Sequence, residues 1–150
     1  MAAALQECCS HMEQNTAYLT NLRDKLIQGL SQIPHSVLNG DCIYRLPGNV
    51  HFCFEGIDGE SLLIMLDNQG ICASAGSACT SGSLDPSHVL SAIGRSTFLA
   101  RGALRLTLSE DNMSEDVDYL LKVIPETVEK LRKMSPVWTE LQEGKRSYEI

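Results

Sequence analysis

The chain has 150 residues, 43% of them hydrophobic and 21% charged, with a formal net charge of −7 and a pI near 5.0. That length suits one domain with a real apolar core, and the acidic balance argues against nucleic acid or an anionic membrane as a principal partner. No apolar run approaches the length of a membrane span and no charged-then-apolar leader opens the chain.

From Ala2 to Ile33, apolar residues fall at Leu5, Cys9, Met12, Leu19, Leu22, Leu26, Leu30 and Ile33. Steps of three, four and seven put them on one face of a single long amphipathic helix over 2–33, ended by Pro34. A helix of that length starting without a lead-in is expected to belong to something larger. Ser36-Val37-Leu38 is a short strand candidate followed by the turn dipeptide Asn39-Gly40. Asn49 to Phe54 alternates, with Val50, Phe52 and Phe54 on one face, as a half-buried strand does. Glu60 to Asn68 is expected as a helix packed through Leu62, Leu63 and Leu66, with Gly70 at its C-terminal end. Ile71 to Ser74 is a further short strand.

From Ala73 to Ser83 every residue except Cys79 is Ala, Gly, Ser or Thr. Neither apolar period of a core element is present, so this stretch is expected as a mobile surface loop with one thiol at its centre. Cysteine is usually buried, but these neighbours offer no apolar surface, so Cys79 is a candidate nucleophile. Ser77, Thr80 and Ser81 place hydroxyls beside it, and a thiol needs such help because free Cys is only slightly ionised at neutral pH. Asp85 and Pro86 suit the start of the next helix, which carries Val89, Leu90 and Ile93 and stops at Gly94. His88 lies in that helix and is more simply a solvent-facing residue than a partner for the thiol.

Residues 95–102 give no clear pattern. Ala103 to Leu108 alternates again, with Leu104, Leu106 and Leu108 inward and Arg105 and Thr107 outward. Arg105 on an outward strand face ordinarily only solvates, although its planar fork also suits a carboxylate. Ser114 is expected to cap a helix whose stripe is Val117, Leu120, Leu121, Ile124, Val128 and Leu131, with Pro125 kinking or splitting it. A polar tail follows over 135–150, anchored by Val137, Trp138 and Leu141. There is no internal repeat. The expected architecture is a single small α/β domain: the helix over 2–33, an α/β core over 36–134 and the tail, with long helices covering one face of a short sheet. The six cysteines (Cys8, Cys9, Cys42, Cys53, Cys72, Cys79) show no CxxC pair and no zinc-ligand spacing. They are expected as reduced thiols of a cytoplasmic protein, not as a disulfide framework.

The run Ser74-Ala75-Gly76-Ser77-Ala78-Cys79-Thr80-Ser81-Gly82-Ser83-Leu84-Asp85-Pro86-Ser87-His88-Val89-Leu90 closely resembles the active-site loop of the NifS/IscS group of cysteine desulfurases. Gly59-Glu60-Ser61-Leu62-Leu63, Leu104-Arg105-Leu106-Thr107-Leu108 and Ser135-Pro136-Val137-Trp138 are similar to segments flanking that loop, so the likeness runs from about Leu5 to Trp138. It implies the small C-terminal domain of the aspartate-aminotransferase-like fold. These enzymes depend on pyridoxal phosphate, convert L-cysteine to L-alanine and hold the sulfur as a persulfide for an iron–sulfur scaffold or another acceptor protein. By position, Cys79 is then the persulfide-forming thiol, Ser77, Ala78, Thr80 and Ser81 belong to its loop, and Arg105 clamps the substrate carboxylate.

The long loop favours NifS/IscS over the short-loop SufS class. The family's Schiff-base lysine lies in a Ser-x-His-Lys setting within a larger N-terminal domain, and here no lysine follows a histidine. The resemblance therefore implies a chain that holds no pyridoxal phosphate alone, is inactive alone, and in full length pairs as a homodimer. Ser109 stands where the family often has glycine. The alternative is a non-enzymatic module that relays sulfur through Cys79 or docks assembly partners.

Overall fold

The central strand decides the layout. In the computed structural model, which describes residues 1–75 and 87–150, β2 (Asn49–Phe54) pairs antiparallel with β1 (Ser36–Leu38) on one side and β3 (Ala103–Thr107) on the other. Successive side chains of a strand point to opposite faces. Val50, Phe52 and Phe54 of β2 and Leu104 and Leu106 of β3 accordingly enter the main core. That face is covered by α2 (Met12–Leu30), α3 (Gly59–Asp67) and α6 (Ser114–Met134) through Leu22, Leu26, Leu62, Leu66, Val117 and Ile124. The expected short sheet under long helices is thus present.

The first helix is not one rod. It is α1 (Ala2–Ser10) and α2, separated at His11 (φ −115°, ψ 8°) and ending at Leu30 rather than Ile33. Leu5, Cys9 and Met12 share the helical period of Leu22 and Leu26 but are exposed. α1 buries none of its residues, so no packing among the described residues holds it in line with α2.

The α3 helix starts where the Asp58 carboxylate accepts from the Ser61 N–H at 2.9 Å. Gly70 beyond its end takes φ +75°, which glycine adopts without strain. Residues 76–86, including Asp85 and Pro86, lie outside the described residues; α4 (His88–Ala92) follows with Ser87 at its N-cap and buries only Leu90, leaving Val89 and Ile93 exposed. The unassigned stretch holds a short helix, α5 (Thr97–Ala100), closed where Ser96 Oγ accepts from the Leu99 N–H.

Ser114 is the first residue of α6 and not its cap. The Asp116 carboxylate instead accepts from the Met113 N–H at 2.9 Å, and Ser114 Oγ accepts from Lys25. Nor does Pro125 split α6, which runs unbroken for 21 residues. Proline removes the N–H owed to the Leu121 carbonyl, and both residues line a groove between α2 and α7 (Pro136–Gln142).

The tail does not stay free. Tyr148 stacks on His35 with ring centroids 4.2 Å apart, and the Glu149 N–H donates to the buried Glu55 carboxylate at 2.6 Å. Arg132 pins this corner by donating to the carbonyls of Glu55, Pro34 and His35 at 3.0, 2.7 and 2.9 Å while lying over Trp138. His35 has φ +54°, a conformation rare outside glycine, and its carbonyl is one of the three that Arg132 holds.

Leu26→Ala is expected to lower stability by about 2–5 kcal/mol through transfer and cavity terms, and Leu5→Ala by less than about 0.5 kcal/mol. Urea midpoints of the two variants check this; equal losses would mean that α1 packs as α2 does.

Candidate functional site

The second face of the sheet is covered at one end only. There Val37, Cys53 and Ala103 form a row across the three strands and pack against Leu90 of α4 and Leu99 and Ala100 of α5. The next row along the same face carries His51 of β2 opposite Arg105 of β3. Both are half-buried and neither belongs to that apolar cluster.

Three guanidinium groups gather here. Arg45, in the connection between β1 and β2, donates to the carbonyls of Asn49, Asp41 and Asn39 at 3.2, 3.2 and 3.4 Å. Arg95, just after α4, donates to the Asn39 side-chain oxygen at 2.9 Å and the Leu38 carbonyl at 3.0 Å. Among the described residues, none accepts from the Arg105 guanidinium. In a chain of net charge −7, this is a cluster of guanidinium groups, with Asp24 and Asp41 beside Arg45, in which the Arg105 fork has no acceptor among the described residues. It suits a bidentate carboxylate.

Arg105 is also the anchor of the thiol-bearing segment. The expected strand over 71–74 reduces to one bridge: the Ser74 N–H donates to the Arg105 carbonyl at 3.0 Å, and the Arg105 N–H donates back at 2.6 Å. Ala75 then packs toward Gly59, where an added Cβ would come within 3.3 Å of it. Cys79, Ser77, Ala78, Thr80 and Ser81 lie outside the described residues. His88 opens α4 and is exposed, as a solvent-facing residue should be. The turn after β3 accommodates Ser109 without positive φ; its carbonyl accepts from the Asn112 N–H and its N–H donates to the Asn112 side chain.

The five described cysteines are free thiols: Cys8, Cys9, Cys42 and Cys72 exposed, Cys53 buried. Burial raises the Cys53 pKa against the opposing effects of an Asn39 hydrogen bond (3.1 Å) and the nearby Arg95 charge. Cys53 is therefore a neutral filler of the second core. His51 differs. Its pKa is lowered to about 4, by burial first and then by the Arg105 and Arg45 charges, and its Nε2 is buried without a hydrogen-bond partner among the described residues. Sequence reasoning missed His51 and Asn39. The period-2 pattern put His51 off the core face, but no pattern along β2 names the residue it faces on β3.

Comparison with known proteins gives this site its setting. The sequence profile of the family described as aminotransferase class-V matches residues 1–120. The chain belongs to the class-V aminotransferase family. It is 46% identical over 148 residues to a protein named cysteine desulfurase IscS in Clostridium botulinum, covering 97% of this chain and 37% of that protein. A cysteine desulfurase IscS of Methanosarcina thermophila is 50% identical over 137 residues, covering 91% of this chain and 34% of its own length. Among solved structures, a NifS-like protein superposes with a TM-score of 0.75 at 29% identity, over 87% of this chain and 32% of that one. The chain thus spans little more than a third of the length of the curated relatives it matches, and its α/β fold is that of the NifS-like members of this class-V family.

The family's pyridoxal phosphate does not fit the donors present in this chain. Its five lysines lie on helices or in the tail: Lys25 pairs with Asp118, Lys133 with Glu129 and Lys145 with Glu143, while Lys122 and Lys130 are exposed on α6. None stands near Arg105 in the sheet. No helix among the described residues is long and apolar enough to cross a membrane.

Alkylation of the native chain is expected to label Cys8, Cys9, Cys42 and Cys72 at least about tenfold faster than Cys53, whose reaction waits on local opening. Asn39→Ala removes a partner of both Cys53 and Arg95 and is expected to cost about 1–3 kcal/mol, bringing Cys53 labelling closer to the exposed rate. Site-resolved mass spectrometry reads both; prompt labelling of Cys53 in the unaltered chain would refute its assignment to the core.

Proposed function

We propose that this chain is the smaller, thiol-bearing domain of a cytoplasmic cysteine desulfurase of the NifS/IscS type. Arg105 binds the carboxylate of L-cysteine through its guanidinium fork. The Cys79 thiolate then takes the substrate sulfur: L-cysteine and the Cys79 thiol become L-alanine and a Cys79 persulfide, which balances without an external oxidant. In a full-length enzyme, pyridoxal phosphate held by residues other than these would supply the electron sink for such carbon–sulfur cleavage. The persulfide passes to an iron–sulfur scaffold or another acceptor protein, and the full-length enzyme is a homodimer.

The single observation that carries this reading is the bridge between Ser74 and Arg105. It ties the start of the small-residue segment to the strand bearing the carboxylate fork. Covalent geometry limits a residue five positions beyond Ser74 to about 17 Å from it, so one short tether connects thiol and clamp. The identity to proteins named cysteine desulfurase supports the same conclusion. The alternative, a sulfur-relay module without catalytic work of its own, is favoured by one fact: no lysine here is placed to hold the cofactor. A relay, however, has no use for a carboxylate fork at Arg105.

The deciding experiment mixes this chain with a separately made large domain that carries the Ser-x-His-Lys lysine, then measures alanine formation and persulfide mass on Cys79. Alanine is expected from the mixture and not from this chain alone. Cys79→Ser should abolish sulfur loading, while Cys42→Ser and Cys72→Ser leave it intact. Arg105→Ala should weaken substrate use by roughly 10- to 150-fold, the loss of a charged hydrogen-bonding pair. Full loading of Cys79→Ser, or an Arg105→Ala variant as active as the parent, would overturn the desulfurase reading.

A further inference from the structure

The antiparallel register sets His51 directly opposite Arg105. Arg105 spends both backbone groups on Ser74, and the His51 carbonyl accepts from Asn39 on the other side. The two residues are therefore a non-hydrogen-bonded pair, the arrangement in which facing side chains come closest. Like charges at such a position repel. We propose that His51 is a positioning residue for the Arg105 carboxylate site: its imidazole faces that guanidinium across the strand pair, so that anion binding at Arg105 and proton uptake at His51 reinforce each other. This rests on the reading of Arg105 as a carboxylate clamp.

The groups facing the imidazole among the described residues favour this coupling. From β3 comes Arg105, and from the connection between β1 and β2 comes Arg45. Arg45 has Asp41, Asp24 and Arg23 as its own charged neighbours. Along β2 itself stands Cys53, whose thiol burial keeps protonated, and on the α4 side Arg95 is tied to Asn39. Burial and the two facing guanidinium groups lower the His51 pKa to about 4 from 6.5. A carboxylate on Arg105 cancels one of those charges, and the proton, drawn from solvent, makes both ring nitrogens donors. Reciprocity then requires that protonation tighten anion binding by the same factor. Between pH 6.5 and about 4 the folded chain binds fewer protons at His51 than the unfolded chain does, so stability falls as pH drops through that window. An anion on Arg105 opposes that fall.

The test follows the histidine ring signals and the Arg105 side-chain N–H of this chain by NMR across pH, with sodium formate as probe against sodium chloride at equal ionic strength. His51→Gln assigns the ring signal. Arg105→Gln is expected to raise the His51 midpoint by about one pH unit or more. Formate is expected to raise the unaltered chain's midpoint by about half a unit or more, and to leave Arg105→Gln unmoved. A His51 midpoint indifferent to Arg105→Gln overturns the inference. So does formate that shifts the Arg105 signal but not His51, which leaves the clamp reading intact. Formate that perturbs neither signal overturns the clamp reading, and the linkage built on it falls with it.

Discussion

Everything in this fold hangs on the strict alternation of β2. One strand, paired on both edges, sends Val50, Phe52 and Phe54 into a core roofed by α2, α3 and α6 and sends His51 and Cys53 to the opposite face. A slip of one residue in register would exchange the two sets. Phenylalanine rings would then stand where the guanidinium cluster sits, and a histidine would be buried under α2. The site is therefore a by-product of core formation: hydrophobic burial, the largest favourable term in folding, fixes which side chains are left for chemistry.

The second constraint is charge. Three guanidinium groups crowd one end of an acidic chain, and two of them are held by carbonyl and amide oxygens of the surrounding backbone and of Asn39. Those contacts hold Arg45 and Arg95 in place, while among the described residues the Arg105 guanidinium meets no acceptor. The lowered pKa of His51 follows from burial first and from the same crowding second. At the far corner, Arg132 does structural work of the opposite kind. Its three nitrogens each donate to a carbonyl and its plane covers Trp138, so one residue type serves as rivet in one place and as receptor in another.

Much of the fold was legible in the residues. The strand at Asn49–Phe54 follows from period-2 alternation, the one at Ser36–Leu38 from the turn residues after it, and the alternation over Ala103–Leu108 ends in the structure at Thr107. What failed did so for identifiable reasons. Leu5 has the spacing of a core residue, but spacing along a helix cannot say whether anything lies beneath it. Pro125 carries the penalty of any helix proline, yet α6 runs through it without a break. Asp116 reaches back to Met113 where Ser114 was expected to cap, because the choice depends on backbone geometry at one turn. The sequence anchors the polar tail only through Val137, Trp138 and Leu141, whereas in the structure Tyr148 and Glu149 also find a stacked ring and a buried carboxylate.

The candidate site divides along the same line. The amino-acid sequence by itself determined the small-residue segment with its single thiol, the outward position of Arg105 and the likeness to cysteine desulfurases, because each is a property of neighbours along the chain. Only the tertiary structure decided that Ser74 bridges Arg105, that His51 faces it, and that Arg45 and Arg95 stand beside them. Those relations join residues tens of positions apart, and strand register, set by burial across the whole sheet, is what brings them together.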